Sequence, residues 1–209
     1  MKLLIASRNK HKIEEIRAIL SFPNLELLST ADIPNLPDVI EDGTTFDANA
    51  RKKARELCAV SGLWTLADDS GLEVDALNGA PGVDSALYAG THGDDAANNK
   101  KLLAELANET NRAAQFRCCL VLCAPDGREW CVEGHCRGRI LTALAGTSGF
   151  GYDPLFVPDG HDKTFAELPS AVKNTISHRA KALAIAQREW KEILDFTFGT
   201  YPLNSTNRI

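Results

Sequence analysis

The 209-residue sequence has no surplus of positive charge. Its 23 lysine and arginine residues face 28 aspartate and glutamate residues, which gives a formal net charge of −5 at pH 7. Proteins that bind nucleic acid non-specifically draw most of their affinity from neutralising phosphates, so this balance argues against that class. A small anionic ligand is still compatible, because it needs only a local cluster of basic side chains.

Long apolar runs are also missing. No stretch approaches the roughly 20 apolar residues of a membrane helix, and the apolar run near the start is too short for the core of a signal peptide. We therefore expect a soluble, cytoplasmic protein with no membrane partner. With 44% apolar residues, the chain can bury a substantial core as one large domain or as two small lobes around a cleft.

Several local signatures of catalysis are absent. The sequence has no Gly-x-x-x-x-Gly-Lys-Ser/Thr, which disfavours a P-loop, and no His-x-x-x-His, which disfavours a zinc hydrolase. No Gly-x-Ser-x-Gly is present either, so nucleophilic serine chemistry has no local support.

Cysteine pairs with metal-binding spacing are lacking as well. Five of the six cysteines lie between positions 118 and 136, with His135 among them, but no Cys-x-x-Cys occurs. The stretch FRCCLVLCAP (116–125) is typical of a buried strand, in which cysteine behaves as a small hydrophobe. We expect structural thiols, with a metal cluster and disulfides as the less favoured alternatives.

The apolar periodicity predicts helices flanking a mixed β-sheet, an α/β or α+β class. Strands are predicted at 2–6, 25–29, 64–68, 71–77 and 155–157, with a hairpin over 114–140 that turns at 125–127. Helices are predicted between the first strand and Pro23 and over 45–61, 94–107 and 174–195. The tail beyond Asp195 has no clear period.

The first stretch with chemical potential, residues 7–16, follows a strand and opens a helix. Ser7 and Asn9 are good N-cap residues, and the free N–H groups of a helix start attract anions. Lys10 and Lys12 lie in the first turn, where lysine opposes the helix dipole. A bound phosphate would compensate for this placement; a solvated basic turn balanced by the acidic residues that follow is the alternative.

The second stretch combines Glu41 with the helix over 45–61. Asn49 and Lys53 are four residues apart and project from one side of that helix, next to its apolar stripe. A lysine in such a position more often covers apolar surface than binds a ligand. The role of Lys53 therefore depends on which side chains face it in the folded protein.

The third stretch places Asp68 and Asp69 side by side at the predicted end of a strand. On an extended backbone the two side chains point to opposite faces. A carboxylate there, with Glu41 nearby, would suit Mg²⁺, which prefers a few carboxylates, waters and substrate phosphates. Ser70 could donate to a ligand oxygen, and Gly71 permits a tight turn. An acidic turn without a metal is the alternative.

The fourth stretch joins a glycine-rich loop, 148–154, to the start of the last helix. Glycines around an aromatic residue suit a loop that lies flat on a planar ring, so either Phe150 or Tyr152 could stack on a base. Lys173, His178 and Arg179 offer cations and donors nearby. Phosphate-binding cations, a carboxylate cluster and an aromatic loop together favour a nucleotide ligand.

Six motifs in order, from about residue 3 to 185, resemble the inosine triphosphate pyrophosphatase family. They are Ser7-x-Asn9-x-x-Lys12-x-x-Glu15, Thr45-Phe46-x-x-Asn49-Ala50-x-x-Lys53-Ala54, ADDSGLEVDAL (67–77), GAPGVDSA (79–86), GFGYDPLF (149–156) and ISHRAKAL (176–183). The resemblance implies a two-lobed α/β domain over 1–195 with a long central mixed sheet, an active site in the cleft between lobes, and a tail at 196–209. It also implies a Mg²⁺-dependent homodimer.

The implied reaction is hydrolysis of a nucleoside triphosphate (ITP, dITP or XTP) to the monophosphate and pyrophosphate. A related pyrophosphatase with another base preference and a catalytically silent nucleotide-binding module are the alternatives. A zinc-dependent regulatory protein built on the cysteine cluster is weaker still.

The resemblance also implies residue roles. Asp69 would be the general base and a metal ligand, with Glu41 and Asp68 as metal partners. The triphosphate would be held by Ser7, Arg8, Asn9, Lys10, His11, Lys12 and Lys53. The nucleoside or neighbouring phosphates would be held by Ser70, Phe150, Gly151, Tyr152, Asp153, Lys173, His178 and Arg179. Phe150 would stack on the purine, with His178 and Arg179 near its 6-oxo edge.

Overall fold

A six-stranded mixed sheet forms the centre of the computed structural model, which describes residues 2–20 and 25–193. Its strands are β1 (Lys2–Ile5), β2 (Glu26–Ser29), β3 (Trp64–Val74), β4 (Ala113–Cys123), β5 (Glu129–Ile140) and β6 (Phe156–Pro158). The spatial order is β2-β1-β3-β4-β5-β6. Strand β1 runs parallel to β2 and β3, whereas the pairs from β3 to β6 are antiparallel.

Strand β3 corrects the sequence prediction of two strands separated by a turn. It continues through Asp68, Asp69 and Gly71, which pairs with Arg117 of β4. A Cβ atom at Gly71 would lie 2.4 Å from both the Gly82 carbonyl oxygen and Ser85 Oγ. Glycine is therefore required by the close approach of another segment, and the two aspartates lie inside a strand instead of at its end.

In the described part of the chain five α-helices flank the sheet: α1 (Lys10–Ile19), α2 (Phe46–Ser61), α3 (Asp95–Glu105), α4 (Ser170–Ile176) and α5 (His178–Glu189). Asn9 caps α1, since its side chain accepts from the backbone N–H of Lys12 at 3.2 Å. Thr45 caps α2 in the same way, and α2 ends at Gly62, whose φ of 67° lies in the left-handed region.

The predicted single helix over 174–195 is wrong, because the backbone breaks at Ser177. Ser177 is extended, with φ −66° and ψ 160°, and its hydroxyl accepts from the N–H of Ala180 at 3.2 Å. In the second of the two helices Ala182 is buried and Ala184 is exposed. Residues 194–195 and the tail at 196–209 lie outside the described residues.

Apolar side chains form clusters on both faces of the sheet. On one face, Leu66 and Leu120 pack with α1 and α5; on the other, Ala67 and Val121 pack with α2. A third cluster lies at the far end of β3 and β4, around Phe116 and α3. The predicted α/β class, a mixed sheet flanked by helices, is confirmed, while the division into two lobes stays a prediction.

All six cysteines are free thiols, and five of them are buried. Strand β4, with Cys118, Cys119 and Cys123, is the buried strand that the sequence predicts. No helix among the described residues is long and apolar enough to cross a bilayer.

Candidate active site

Asp68 and Asp69 face opposite sides of the sheet, because successive side chains of a strand alternate. Asp68 points towards α1 and α5, where it meets Lys12 and Arg179. Asp69 points towards α2, where it meets Lys53. The intact strand therefore separates two like charges and gives each its own surroundings.

Asp68 is a fully paired carboxylate. It accepts from Lys12 Nζ at 2.8 Å, Ser70 Oγ at 2.8 Å, Arg179 Nε at 2.7 Å and the Cys118 thiol at 3.2 Å. Burial alone would raise its pKa, but Arg179 and Lys12 outweigh burial and hold the pKa well below its ordinary range. Asp68 is therefore ionised at every ordinary pH and fixes the two cations.

Asp69 has the opposite character. Its Oδ1 accepts from Lys53 Nζ at 3.1 Å, while no residue in the described part of the chain donates a hydrogen bond to its buried Oδ2. Burial raises the pKa of Asp69 to about 6, although Lys53 and Lys12 work against the increase. Such a carboxylate can gain and lose a proton close to neutral pH and has a free oxygen with which to do so.

Lys53 connects Asp69 to Glu41. Its ammonium donates to Glu41 Oε2 at 2.7 Å and to the backbone oxygen of Asp68 at 3.0 Å. Burial disfavours its charge, but Asp69 and Glu41 outweigh burial and raise the pKa of Lys53. The lysine that sequence reasoning left between surface cover and ligand binding is thus a buried cation among carboxylates.

Glu15 extends the ion pairs towards the glycine-rich loop. It accepts from Arg179 Nη1 and, at 2.8 Å, from Lys173 Nζ, which also donates to Asp153 at 2.5 Å. A chain of ion pairs therefore leads from Lys12 through Asp68 and Arg179 to Glu15. Lys173 continues it from Glu15 to Asp153 in the loop. Sequence reasoning gave Glu15 no site role, although its place three residues after Lys12 on α1 puts both on one helix face.

The loop that carries Phe150 is fixed by hydrogen bonds to its backbone. The Phe150 N–H donates to Asp153 Oδ2 at 2.9 Å, and the Gly151 N–H donates to Asp95 Oδ2 at 2.7 Å. Asn99 donates to the Gly151 oxygen at 2.8 Å. The loop is therefore held by α3, whose Asp95 and Asn99 carry no motif signal that could have identified them.

The aromatic rings of the loop differ in exposure. Phe150 is half-buried and stacks on His11, with 5.1 Å between ring centroids and 8° between planes, and Lys173 Nζ lies 4.7 Å from its centroid. Tyr152 is buried in the core and donates its hydroxyl to the Ser85 oxygen at 2.9 Å. Of the two rings that the sequence left open, Phe150 is the more available to a ligand.

His178 opens α5 and is buried beneath the loop. Its ring stacks on Phe116 with centroids 4.8 Å apart, and its Nδ1 has no hydrogen-bond partner within residues 2–20 and 25–193. Burial and the charge of Arg179 hold the pKa of His178 well below its ordinary value, so the imidazole is neutral. Gly134 of β5 allows this position, since a Cβ there would lie 2.2 Å from the His178 oxygen.

Most of these side chains line one cavity of about 590 Å³, which lies between α1, α2 and the glycine-rich loop. Every predicted site residue lines it except Lys10 and His11. Lys10 is exposed, and His11 lines a neighbouring space of about 270 Å³ on the other side of Phe150. Arg8 lines the main cavity and pairs with Asp38 at 2.8 Å.

The model of the Ham1 family matches residues 3–188, which include every residue of this cavity. The chain belongs to the Ham1 family. A dITP/XTP pyrophosphatase of Corynebacterium efficiens is 51% identical over 194 residues, covering 88% of this chain and 94% of that protein.

Solved structures of Ham1 proteins have the same fold. The Staphylococcus aureus Ham1 protein aligns with a TM-score of 0.83 at 39% identity, covering 92% of this chain and all of that one. The Coxiella burnetii HAM1 protein aligns with a TM-score of 0.84 at 37% identity, covering 92% and 99%. The resemblance inferred from the six motifs is thus confirmed.

Proposed function

We propose that this Ham1-family chain hydrolyses the non-standard purine nucleoside triphosphates dITP, XTP and ITP to the monophosphate and pyrophosphate, with Mg²⁺ as cofactor. The observation that carries the proposal is the free, buried oxygen of Asp69, set among cations in a cavity large enough for a nucleotide. The name of the Corynebacterium efficiens relative supports the reaction class.

The charges around the cavity support a divalent cation. Lys12, Lys53, Lys173 and Arg179 are each already paired with carboxylates. A triphosphate adds about four negative charges, so it needs positive charge beyond these side chains. The oxygens of Asp69 and Glu41 are the hard ligands that Mg²⁺ prefers. Asp69 Oδ1 accepts from Lys53 and keeps a second lone pair for the metal, which leaves Oδ2 for the proton.

Asp69 is assigned as the base of the reaction. Water bonds to the α-phosphorus, its proton passes to Asp69 Oδ2, and the bridge to the β-phosphorus breaks to release pyrophosphate. Lys12 and Lys53 stabilise the charge that grows on this leaving group, and bound Mg²⁺ would neutralise part of the same charge. Without metal the pKa of Asp69 is about 6, so the carboxylate is ionised at neutral pH and able to accept a proton, and a bound Mg²⁺ would lower this pKa.

Asp68 can serve as a metal partner only after a rearrangement. The hydrogen bonds that its two carboxylate oxygens already accept occupy their lone pairs. If Lys12 moves to a phosphate, one position on Asp68 Oδ1 becomes free. Otherwise Asp68 acts by holding Lys12 and Arg179 in place.

Base selection is assigned to the loop side of the cavity. Phe150 lines the cavity, with His11 stacked on one face of its ring, and the neutral His178 has an Nδ1 with no hydrogen-bond partner among the described residues. In the tautomer that carries the proton on Nδ1, the ring offers a buried donor that favours a 6-oxo purine over adenine, because the amino group of adenine would leave that donor unpaired. Arg179 contributes by position, since Asp68, Glu15 and Ser70 already engage its guanidinium.

The direct test is a substrate panel. The purified protein is incubated with ITP, XTP, GTP and ATP, with and without Mg²⁺, and the products are separated by ion-exchange chromatography. We expect IMP and XMP with pyrophosphate, only with metal, and little turnover of ATP. Guanine carries the same 6-oxo group, so low turnover of GTP would show selection at the 2-position of the purine. IDP with orthophosphate would refute the reaction, a different ranking of bases would refute the specificity, and binding without turnover would indicate a silent nucleotide-binding module.

Substitutions at Asp69 and Glu41 test the role proposed for each carboxylate. Asp69→Asn should abolish turnover while the protein stays folded, and Glu41→Gln should raise the Mg²⁺ concentration needed for half-maximal rate. Asp42→Asn is the matched control, because Asp42 is exposed and pairs only with Lys52 at 2.7 Å among the contacts described. Equal effects at positions 41 and 42 would refute a metal role for Glu41.

We also propose that the protein is a cytoplasmic homodimer. The sequence resemblance supports the dimer, and light scattering of the purified protein measures it directly. A monomeric mass at micromolar concentration would refute the proposal.

A further inference from the structure

Three metal-ligating side chains meet where α2 contacts the hairpin of β4 and β5. Asp47 lies in the first turn of α2, Cys119 lies in β4 and Cys131 lies in β5. Cys131 pairs in register with Val121, two residues from Cys119, so both thiols are on the face that α2 covers. One ligand atom from each side chain lies within 4.8 Å of the other two.

The distances fit a tetrahedral thiolate site. The two Sγ atoms are 3.3 Å apart, and Asp47 Oδ1 lies 3.3 Å from Cys131 Sγ and 4.0 Å from Cys119 Sγ. Zinc–sulfur bonds of about 2.3 Å and zinc–oxygen bonds of about 2.0 Å would separate the sulfurs by about 3.8 Å and sulfur from oxygen by about 3.5 Å. Each observed separation is within about 0.5 Å of these values.

We propose that Asp47, Cys119 and Cys131 bind one thiophilic divalent cation of the zinc type, with water as the fourth ligand. Water can reach the site, because the Asp47 side chain is 43% exposed. Thiolates select zinc-type cations over Mg²⁺, which prefers oxygen, so the site is chemically distinct from the carboxylates around Asp69. Binding releases the two thiol protons to solvent.

The surroundings balance the charge of such a site. Two thiolates and Asp47 carry one more negative charge than the cation neutralises. Arg51 and Arg55 lie beside them and both pair with Glu129. These three side chains together carry one net positive charge, which balances the site. Arg51 Nε already contacts both oxygens of Asp47 at 2.9 Å, so it can keep Oδ2 while Oδ1 binds the metal.

Catalytic activity is not a suitable readout for this site. Cys119 pairs in register with Asp69, one strand away, so a cation there can affect the active site as well. The test therefore uses a signal specific to sulfur. The full-length protein is purified without oxygen, its six free thiols are verified, and Co²⁺ is titrated in the presence of excess Mg²⁺.

We expect one Co²⁺ per chain with a near-ultraviolet thiolate-to-cobalt band that Zn²⁺ abolishes. Cys131→Ser should remove the band, and Asp47→Asn should weaken Co²⁺ binding by at least about tenfold. Cys131 is half-buried, so the serine variant should fold, as circular dichroism can verify. Cys136→Ser in the same strand is the matched control and should leave the band unchanged.

Three results would overturn the proposal: no thiolate band in the wild-type protein, a band that persists in Cys131→Ser, or a Cys119–Cys131 disulfide in protein purified without oxygen.

Discussion

Asp68 and Asp69 are identical residues in neighbouring positions, and one strand gives them opposite acidities. Asp68 meets Arg179 and Lys12, which hold its pKa low in spite of burial, whereas burial dominates at Asp69 and raises its pKa to about 6. Asp68 is thus a permanent anion that holds cations in place, and Asp69 is a carboxylate that can exchange a proton.

The raised pKa of Asp69 predicts a pH-dependent effect of Asp69→Asn on stability without metal. A pKa that rises from 3.8 to about 6 on folding favours the folded state most below the ordinary value, and this contribution is lost as pH rises through about 6. The free energy of unfolding of the variant, relative to wild type, should therefore rise between about pH 4 and pH 7. The rise should be no more than about 2–3 kcal/mol. Urea unfolding with EDTA measures it.

Asp42→Asn controls for the general effect of removing a carboxylate. Lys52 lowers the pKa of Asp42, so this residue stabilises the protein above its ordinary pKa and the contribution is lost as pH falls. The stability difference for Asp42→Asn should change in the opposite direction, and only slightly, because Asp42 is exposed and Lys52 is partly exposed. A difference for Asp69→Asn that does not vary over this pH range would contradict the assigned acidity.

Glu15 lies between two cations, and its replacement tests the chain of ion pairs. In Glu15→Gln, Lys173 and Arg179 lose their common anion while both remain largely buried. Breaking such buried pairs costs about 3 kcal/mol in unfolding free energy, and KM should rise because Lys173 loses one of the two carboxylates that hold it. Chemical unfolding and steady-state kinetics measure both effects.

Glu14→Gln is the matched control for Glu15, since the neighbouring Glu14 side chain is 73% exposed. It should change stability by less than about 0.5 kcal/mol. Similar losses at both positions would show that the net charge of α1, and not the position of Glu15, determines the effect.

At the level of elements, α5 owes its position to a glycine in β5. A Cβ at Gly134 would lie 2.2 Å from the His178 oxygen and 2.4 Å from the Ala182 nitrogen, which are backbone atoms that cannot turn away. Gly134→Ala should therefore displace the start of α5, with a loss of about 1–3 kcal/mol in unfolding free energy and of most activity.

The matched control for Gly134→Ala is the exposed neighbour His135, replaced by alanine, which should behave as wild type. Thermal unfolding, together with activity on the preferred substrate, measures both variants. Wild-type activity in Gly134→Ala would mean that the close approach of α5 to β5 does not position His178.

The same elements show how far the sequence could predict the fold. Apolar periodicity identified the sheet and most helices, because burial on one face imposes it. The predicted pattern divided β3 at Gly71, because a glycine between two apolar runs is typical of a turn. Gly71 is instead required by the close approach of Ser85, which is distant in sequence. The predicted pattern joined α4 to α5 because Ser177, which ends one helix and caps the next, leaves the apolar pattern unbroken.

Over the whole molecule, motifs located the site but not its internal connections. Nearly every predicted residue lines the cavity, since short local motifs carry those side chains. The role of Glu15 between Lys173 and Arg179, and the support that Asp95 gives to the loop, depend on contacts between distant segments. Such contacts follow from the packing of elements, for which a single sequence carries no direct signal.

Because the site draws on α1, α2, β3, the glycine-rich loop and α5, its ligand should stabilise the whole molecule. A ligand that binds only the folded chain adds about 2.7 kcal/mol when its concentration is 100 times its dissociation constant. A non-hydrolysable ITP analogue with Mg²⁺ should therefore raise the midpoint of thermal unfolding by several degrees, and the matching ATP analogue should raise it much less. Differential scanning calorimetry measures the shift.

The dependence of that thermal shift on Mg²⁺ distinguishes joint binding of metal and nucleotide from binding of the nucleotide to basic side chains alone. Without Mg²⁺ the ITP analogue should stabilise little, because the cavity's cations are already paired with carboxylates. Glu41→Gln should reduce the shift seen with metal, and Asp42→Asn should leave it intact. An equal shift with and without Mg²⁺ would mean that the lysines leave their carboxylates for the triphosphate, and that Asp69 and Glu41 hold no metal in the complex.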